Sequence, residues 1–174
     1  SGSSFFKSTD GGQNFEIINQ PSDPLLSWSQ EYVSFEGDWV TTDWVTTESN
    51  HNGSVTAKSG LKFVILEFFA TNHYVTKLIT PAIDLSEILE PTLKFSFTNV
   101  NNRYPAHPAN PFKIFYKTGV SEPWTLLATI SSEVSEWQEV SLDLPDPSGD
   151  YYIAFEGHSH YASEVTLDDI SVES

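Results

Sequence analysis

The sequence predicts an all-β fold, a two-sheet antiparallel β-sandwich of jelly-roll topology. Three observations predict it. Apolar residues recur at period two in many short runs, as in Leu93, Phe95 and Phe97 or Tyr151, Ile153 and Phe155. No apolar period of 3.6 persists over three turns, and only Ile83 to Leu89 is expected to form a short helical turn. The runs are separated by polar turns rich in Ser, Asn, Gly and Pro, and eight or more short strands with few helices are the pattern of a sandwich.

Residues 1 to 13 read as an extended N-terminal arm or a tag remnant, with a turn at Asp10-Gly11-Gly12, and residues 14 to 174 as the domain itself. Asn14 to Ile18 is a short alternating strand, ended by Pro21 and Pro24. Leu25 to Trp28, Tyr32 to Phe35, Gly37 to Val40 and Asp43 to Val45 are short apolar pieces, and residues 46 to 60 are a polar loop. Leu61 to Phe69 is the strongest buried run, with Phe63, Ile65 and Glu67 on one face and Val64, Leu66 and Phe68 on the other. Val75 to Thr80 is a strand closed by Pro81, and Leu93 to Thr98 alternates Leu93, Phe95 and Phe97 with Lys94, Ser96 and Thr98. Asn99 to Asn110, with its Asn, Pro and His residues, is expected to be a long exposed loop. Phe112 to Lys117, Trp124 to Ile130, Trp137 to Leu144 and Tyr151 to Phe155 are the next strands.

The last strand, Glu164 to Val172, is interrupted by two adjacent acids. Strict alternation places Thr166, Asp168, Ile170 and Val172 on one face and Leu167, Asp169 and Ser171 on the other. If Ile170 and Val172 face a core, so does Asp168, and a buried carboxylate is costly without a neutralising partner. After Arg103 the only basic residues are Lys113 and Lys117, so a metal ion is at least as good a candidate as a basic side chain.

Eight Lys and Arg stand against 24 Asp and Glu in 174 residues, a formal net charge of -16. Nucleic acid and anionic membrane surfaces would be repelled, whereas hard divalent cations are favoured. There is no Cys, hence no disulfide and no thiol chemistry. There is no Met either, so the chain is expected to be a processed product or a piece of something larger. No run approaches the roughly 18 apolar residues of a membrane helix, and no membrane insertion is expected.

With the strands laid out, the chain resembles the MAM domain family, an adhesive extracellular module. Asn14-Phe15-Glu16 looks like the family's opening Asn/Asp-Phe-Glu, Ser27-Trp28-Ser29-Gln30 like its Gly-Trp-Ser/Thr-Gln, and Gly37-Asp38-Trp39 like its Phe-Asp-Trp. Lys77-Leu78-Ile79-Thr80-Pro81 looks like Arg-Leu-x-Ser-Pro, and Phe155-Glu156-Gly157 and Leu167-Asp168-Asp169-Ile170 stand where the family has the same residues. The animal family's cysteines are missing, as is usual in bacterial relatives. The chain is also similar, in the two end motifs, to calcium-bearing jelly-roll carbohydrate-binding modules and to the cleaved adhesin domains of bacterial surface proteases, with concanavalin-like or galactose-binding-like sandwiches.

The resemblance implies a structural Ca2+ tying the first strand to the last, held by Glu16 and Asp168, with Asp38 as a third ligand. The alternative is that these acids are on the surface, or that Asp168 caps a bulge by bonding backbone amides. His158 and His160 project from the same side as Glu156 on an extended segment, a pattern that suits a transition metal. An exposed loop between the last two strands is the preferred reading of them. Tyr104, His107, Trp124 and Tyr161, in or next to loops, are the candidate ligand-binding residues for a sugar platform. Asn52-Gly53-Ser54 matches a glycosylation acceptor but reads as a turn, and the acid pairs Glu133/Glu136 and Asp143/Asp146 read as solvated turns rather than as an acid and base for glycoside hydrolysis.

No His-Glu-x-x-His, Gly-x-Ser-x-Gly or phosphate-loop motif occurs, and no catalytic residue is assigned. The expectation is a non-catalytic, calcium-stabilised extracellular or cell-surface module of a bacterial protein, recognising protein or glycan. The alternative is a carbohydrate-binding module appended to a secreted hydrolase, and an enzyme in its own right stands well behind both.

Overall fold

The computed structural model describes residues 6–8, 15–17, 25, 27–35, 43–50, 53–66, 73–101, 109–159 and 163–174. Among them there is no helix, and the strands form two antiparallel sheets. In the first sheet, β12 (Ser163–Glu173) is paired along most of its length with β7 (Thr92–Asn101), which is flanked in turn by β10 (Val134–Asp143). On its other edge β12 pairs first with β5 (Phe63–Leu66) and then with β2 (Phe15–Ile17). β4 (Trp44–Thr47) extends beyond β5, and β1 (Phe6–Ser8) extends beyond β2. The second sheet has the order β3 (Ser29–Phe35), β6 (Tyr74–Ile79), β11 (Tyr152–Ser159), β8 (Phe112–Lys117) and β9 (Thr125–Ile130).

Between the sheets lies the aromatic core that the alternation predicts. Phe95 and Phe97 from β7 meet Phe112 and Phe155 from the facing sheet, with Phe112 and Phe155 stacked at a centroid distance of 6.2 Å and Phe95 and Phe155 edge to face at 5.4 Å. Such rings carry most of the apolar area that drives the sheets together.

A second, smaller core lies on the far side of the first sheet. Phe63 and Ile65 point away from the main core and are covered, with Val100, by Val55, Ala57 and Trp137. This is why β5 is apolar on both faces. The covering segment belongs to the polar stretch 46–60, which is therefore not a free loop. Asn50 folds it by accepting from Val55 N at 2.9 Å through Oδ1, and Trp137 Nε1 donates to Thr56 O at 2.9 Å.

Three expectations are corrected. Ile83 to Leu89 makes no helical turn: Ile83 bridges Tyr151, and Ile83, Leu85 and Ile88 are buried from an extended chain that turns at Leu85. Asn99 is not the start of an exposed loop. β7 runs on to Asn101 because β12 supplies its hydrogen-bonding partner, while Asn99 Nδ2 bonds Asn110 O at 2.8 Å and Val100 joins the second core. Asp168 does not share a face with Ile170. A bulge between Asp168 and Ser171, with Asp169 at φ 50°, shifts the phase of β12, so that Leu167 and Ile170 both enter the main core while Asp168 lies on the opposite face with Thr166.

Two motif residues have structural duties here. Gln30 of β3 mimics a strand's peptide group: its Nε2 donates to Trp44 O at 3.0 Å and its Oε1 accepts from Trp44 N at 2.7 Å, clamping edge strand β4 to the other sheet. Gly157 sits where a Cβ would overlap Leu66 Cδ2 and lie 2.9 Å from Trp44 Cζ2. Gly157→Ala should therefore destabilise the fold by about 1–3 kcal/mol through overpacking, measured as a lower midpoint of urea unfolding; an unchanged midpoint would refute the packing argument.

Candidate functional site

Two places gather polar side chains that a sandwich of this kind does not need for its core. The first is Asp168, only 5% exposed. Its Oδ2 accepts from Lys58 N at 2.8 Å and Ser59 N at 3.1 Å, and its Oδ1 from Asp169 N at 2.8 Å. Burial pushes its pKa up; the amides of Ser59, Asp169 and Lys58 pull against this, the Asp169 charge adds to it, and the balance remains raised. Beside it Lys58 Nζ bonds Ser96 Oγ at 2.8 Å and Glu139 at 2.5 Å, and Ser59 Oγ bonds Asp169. Of about four lone-pair positions on a carboxylate, three are taken by amides. Asp168 thus retains one on Oδ1 for an ion, so it fits Ca2+ as a single-oxygen ligand that needs several oxygens from elsewhere.

Glu16 lies on β2 opposite Ser171, three residues along β12 from Asp168, so β2 and the last strand are neighbours. Its side chain, and the whole of Asp38, Tyr104, His107, His160 and Tyr161, lie outside the described residues. Among the described residues no three His, Asp or Glu side chains converge as a metal would require.

The second place is the outer face of the five-stranded sheet, and its central feature is a charged row. The register sets Glu31 of β3 opposite Lys77 of β6, Lys77 opposite Glu156 of β11, and Glu156 opposite Lys113 of β8. Lys77 and Glu156 are only 6% and 4% exposed. Lys77 Nζ is 3.2 Å from Glu156 Oε2 and 3.5 Å from Glu31 Oε1, and stands 5.1 Å from the centroid of the Phe115 ring. Lys113 Nζ and His158 Nε2 are each 3.2 Å from Glu156 Oε1.

His158 and Glu156 do lie on the same side, but on strand β11, paired with Val75 and Lys77. The exposed loop expected for His158 is corrected: the apolar alternation of Tyr151, Ile153 and Phe155 continues through Gly157 into a central strand. Burial raises the pKa of Glu156, and the bonds from His158, Lys77 and Lys113 more than reverse that, bringing it to about 2.

Farther along the same face, Lys117 of β8 lies between two rings, its Nζ 4.9 Å from the Trp124 centroid and 4.8 Å from that of Tyr152. Its Nζ also bonds Val120 O at 2.8 Å. Trp124 is thus placed on this face, half-buried. Beyond the end of β8, Tyr116, Lys117, Glu122, Thr125 and Asp146 line a cleft of about 240 Å³.

Sequence reasoning missed the row. The available signal was a charged residue at an outward position of each strong strand, Lys77, Lys113 and Glu156, but only the register brings them together.

Comparison with solved structures gives the class of fold. The chain is similar to the K2 cleaved adhesin domain of Lys-gingipain, with a TM-score of 0.65 at 16% identity over 92% of this chain and 99% of that one. It is similar also to the K1 cleaved adhesin domain of Lys-gingipain from Porphyromonas gingivalis W83, with a TM-score of 0.60 at 20% identity over 86% of this chain and 91% of that one. A family 11 carbohydrate-binding module from Clostridium thermocellum, in complex with a β-1,3-1,4-mixed-linked tetrasaccharide, has a TM-score of 0.54 at 13% identity over 92% of this chain and 95% of that one. At these identities the likeness is one of fold, the β-sandwich. No protein-family model and no curated protein matches the chain.

Glu156 yields a pH prediction. Its folded pKa of about 2 lies below the ordinary 4.5, so its stabilising contribution is complete above pH 4.5 and is lost as pH falls toward 2. Glu156→Gln should flatten the loss of stability over that interval relative to the native chain, read by urea unfolding at a series of pH values. Parallel curves for the two proteins would contradict the row as described.

Proposed function

We propose that the chain is a non-catalytic recognition module whose outer five-stranded sheet binds glycan at a cell surface or matrix. The observation that carries this reading is the outer face itself, where half-buried rings of Phe115, Tyr152 and Trp124 alternate with charged side chains anchored in central strands. Rings take the apolar face of a sugar, and fixed donors and acceptors take its hydroxyls. Supporting the class, the similar folds include adhesin domains and a carbohydrate-binding module solved with its tetrasaccharide.

The same module serves an adhesin or a secreted hydrolase equally well, and the extracellular setting belongs to the proposal. Among the described residues no helix is long and apolar enough to cross a membrane. A glycan array followed by calorimetric titration tests the reading: saturable binding should fall at least about tenfold, near 1.4 kcal/mol, in Trp124→Ala and Tyr152→Ala. Array hits that bind both variants at native affinity would move the site off this face.

Structural calcium is the second part of the proposal, supported by the charge of -16, by buried Asp168 and by the β2–β12 pairing that brings Glu16 near it. A bound ion stabilises the native state by mass action, so the melting temperature should rise with Ca2+ and fall with EGTA. Asp168→Ala should remove that dependence and Asp169→Ala should keep most of it. A melting temperature indifferent to both additions, or equal effects of the two substitutions, would dismiss the ion.

A further inference from the structure

We infer that His158 is a proton-operated switch that decides whether Lys113 is held in the charged row or released to the surface of the outer face. Three donors share one buried carboxylate there. Lys77 reaches Glu156 Oε2, while Lys113 and His158 both reach Oε1, each at 3.2 Å. With the imidazole neutral, the row of Glu31, Lys77, Glu156 and Lys113 holds two positive and two negative charges and is balanced. Histidine is the side chain whose ordinary charge change falls between pH 5 and 8. Protonation sets a third cation against Glu156.

The surroundings do not offset that charge. Among the described residues, His158 faces Glu156 from its own strand, Lys77 from β6 and Lys113 from β8, with Glu31 one strand beyond Lys77. Its partner on β6, Val75, carries no charge, and His73 stands two residues before Val75. Glu122, Asp146 and Asp150 gather at the other end of β8, around Lys117 and Val120. Lys117 is four residues from Lys113, about 13 Å at strand rise, which is more than a Debye length at physiological salt.

Which cation gives way follows from how each is held. Lys77 lies between two carboxylates, Glu156 and Glu31, and against the Phe115 ring, with only 8% of its side chain exposed. Lys113 has the single bond to Glu156 and 31% of its side chain exposed. An ammonium that already touches water loses least by leaving a buried partner. His158, fixed on a central strand, stays. The imidazolium therefore keeps Oε1, and Lys113 turns outward on the side of β8 that it shares with Phe115, next to Thr129 of β9. On the glycan reading above, the face then offers a sugar a free ammonium in acid and a neutralised one in base. The switch itself does not depend on that reading.

Nuclear magnetic resonance of the whole chain without any ligand decides it, following the His158 ring and the side-chain carbon and nitrogen signals of Lys113 and Lys77 from pH 8 to pH 5. The Lys113 signals should move in step with the His158 ring, while those of Lys77 stay nearly constant. His158→Gln should leave Lys113 unresponsive over the same interval. Lys113→Gln, at the more exposed position, removes a competing cation, so the His158 midpoint should shift to higher pH; this variant carries the test if His158→Gln is unstable. Lys113 signals that stay flat while the His158 ring titrates would overturn the switch. So would a ring that does not titrate in the interval, or a His158 midpoint that is the same with and without Lys113.

Discussion

The fold depends on one break in hydrogen-bonding partner along β12. That strand is paired along most of its length by β7, but on its other edge β5 ends and β2 begins. Where the partner changes, the ladder loses its donors and acceptors, and a buried strand cannot leave them unpaired. The bulge after Asp168 absorbs the mismatch, and the Asp168 carboxylate takes over as acceptor for the amides of Lys58 and Ser59. A sequence of two acids in the middle of an apolar strand follows: Asp168 satisfies the amides of Lys58 and Ser59, and Asp169 takes the positive φ, which Asp tolerates better than most residues.

From that point the two faces of the first sheet have different lives. The inner face supplies Leu167, Ile170 and Val172 to the aromatic core, and the outer face is roofed by residues 53–60 through Val55, Ala57 and the amides held by Asp168. With its outer face covered, the first sheet offers little open surface along β5 and β12. The second sheet keeps its outer face for side chains that are neither core nor ordinary solvent contacts, and this division of labour is what leaves Lys77, Glu156 and Lys113 free to form a row.

Local alternation was enough to place Tyr151, Ile153 and Phe155, or Leu93, Phe95 and Phe97, on the core side, because each decision needs only the neighbours two residues away. The face of Asp168 was not legible: a bulge inserts one residue and reverses every later assignment, and its cause lies in β2 and β5, more than 100 positions earlier. The charged row was hidden for a related reason. Glu31, Lys77, Lys113 and Glu156 belong to four strands, and nothing within any one run shows that they meet. The Phe-Glu-Gly and Trp-Ser-Gln motifs were visible as words, whereas their physical content appears only in space: Glu156 as the hub of two lysines and a histidine, Gly157 as the gap that admits Trp44 and Leu66, Gln30 as a surrogate peptide.

Gln30 has a consequence outside the folded monomer. Among the described residues β4 is an edge strand, and open edges invite pairing with strands of other molecules. The Trp44 amide and carbonyl that would begin such a ladder are already bonded to the Gln30 side chain. A side-chain amide has no onward backbone to extend, so it ends the sheet where another strand would have continued it. A module crowded with identical copies would thereby keep its neighbours from polymerising on it, using a single carboxamide as a chain terminator.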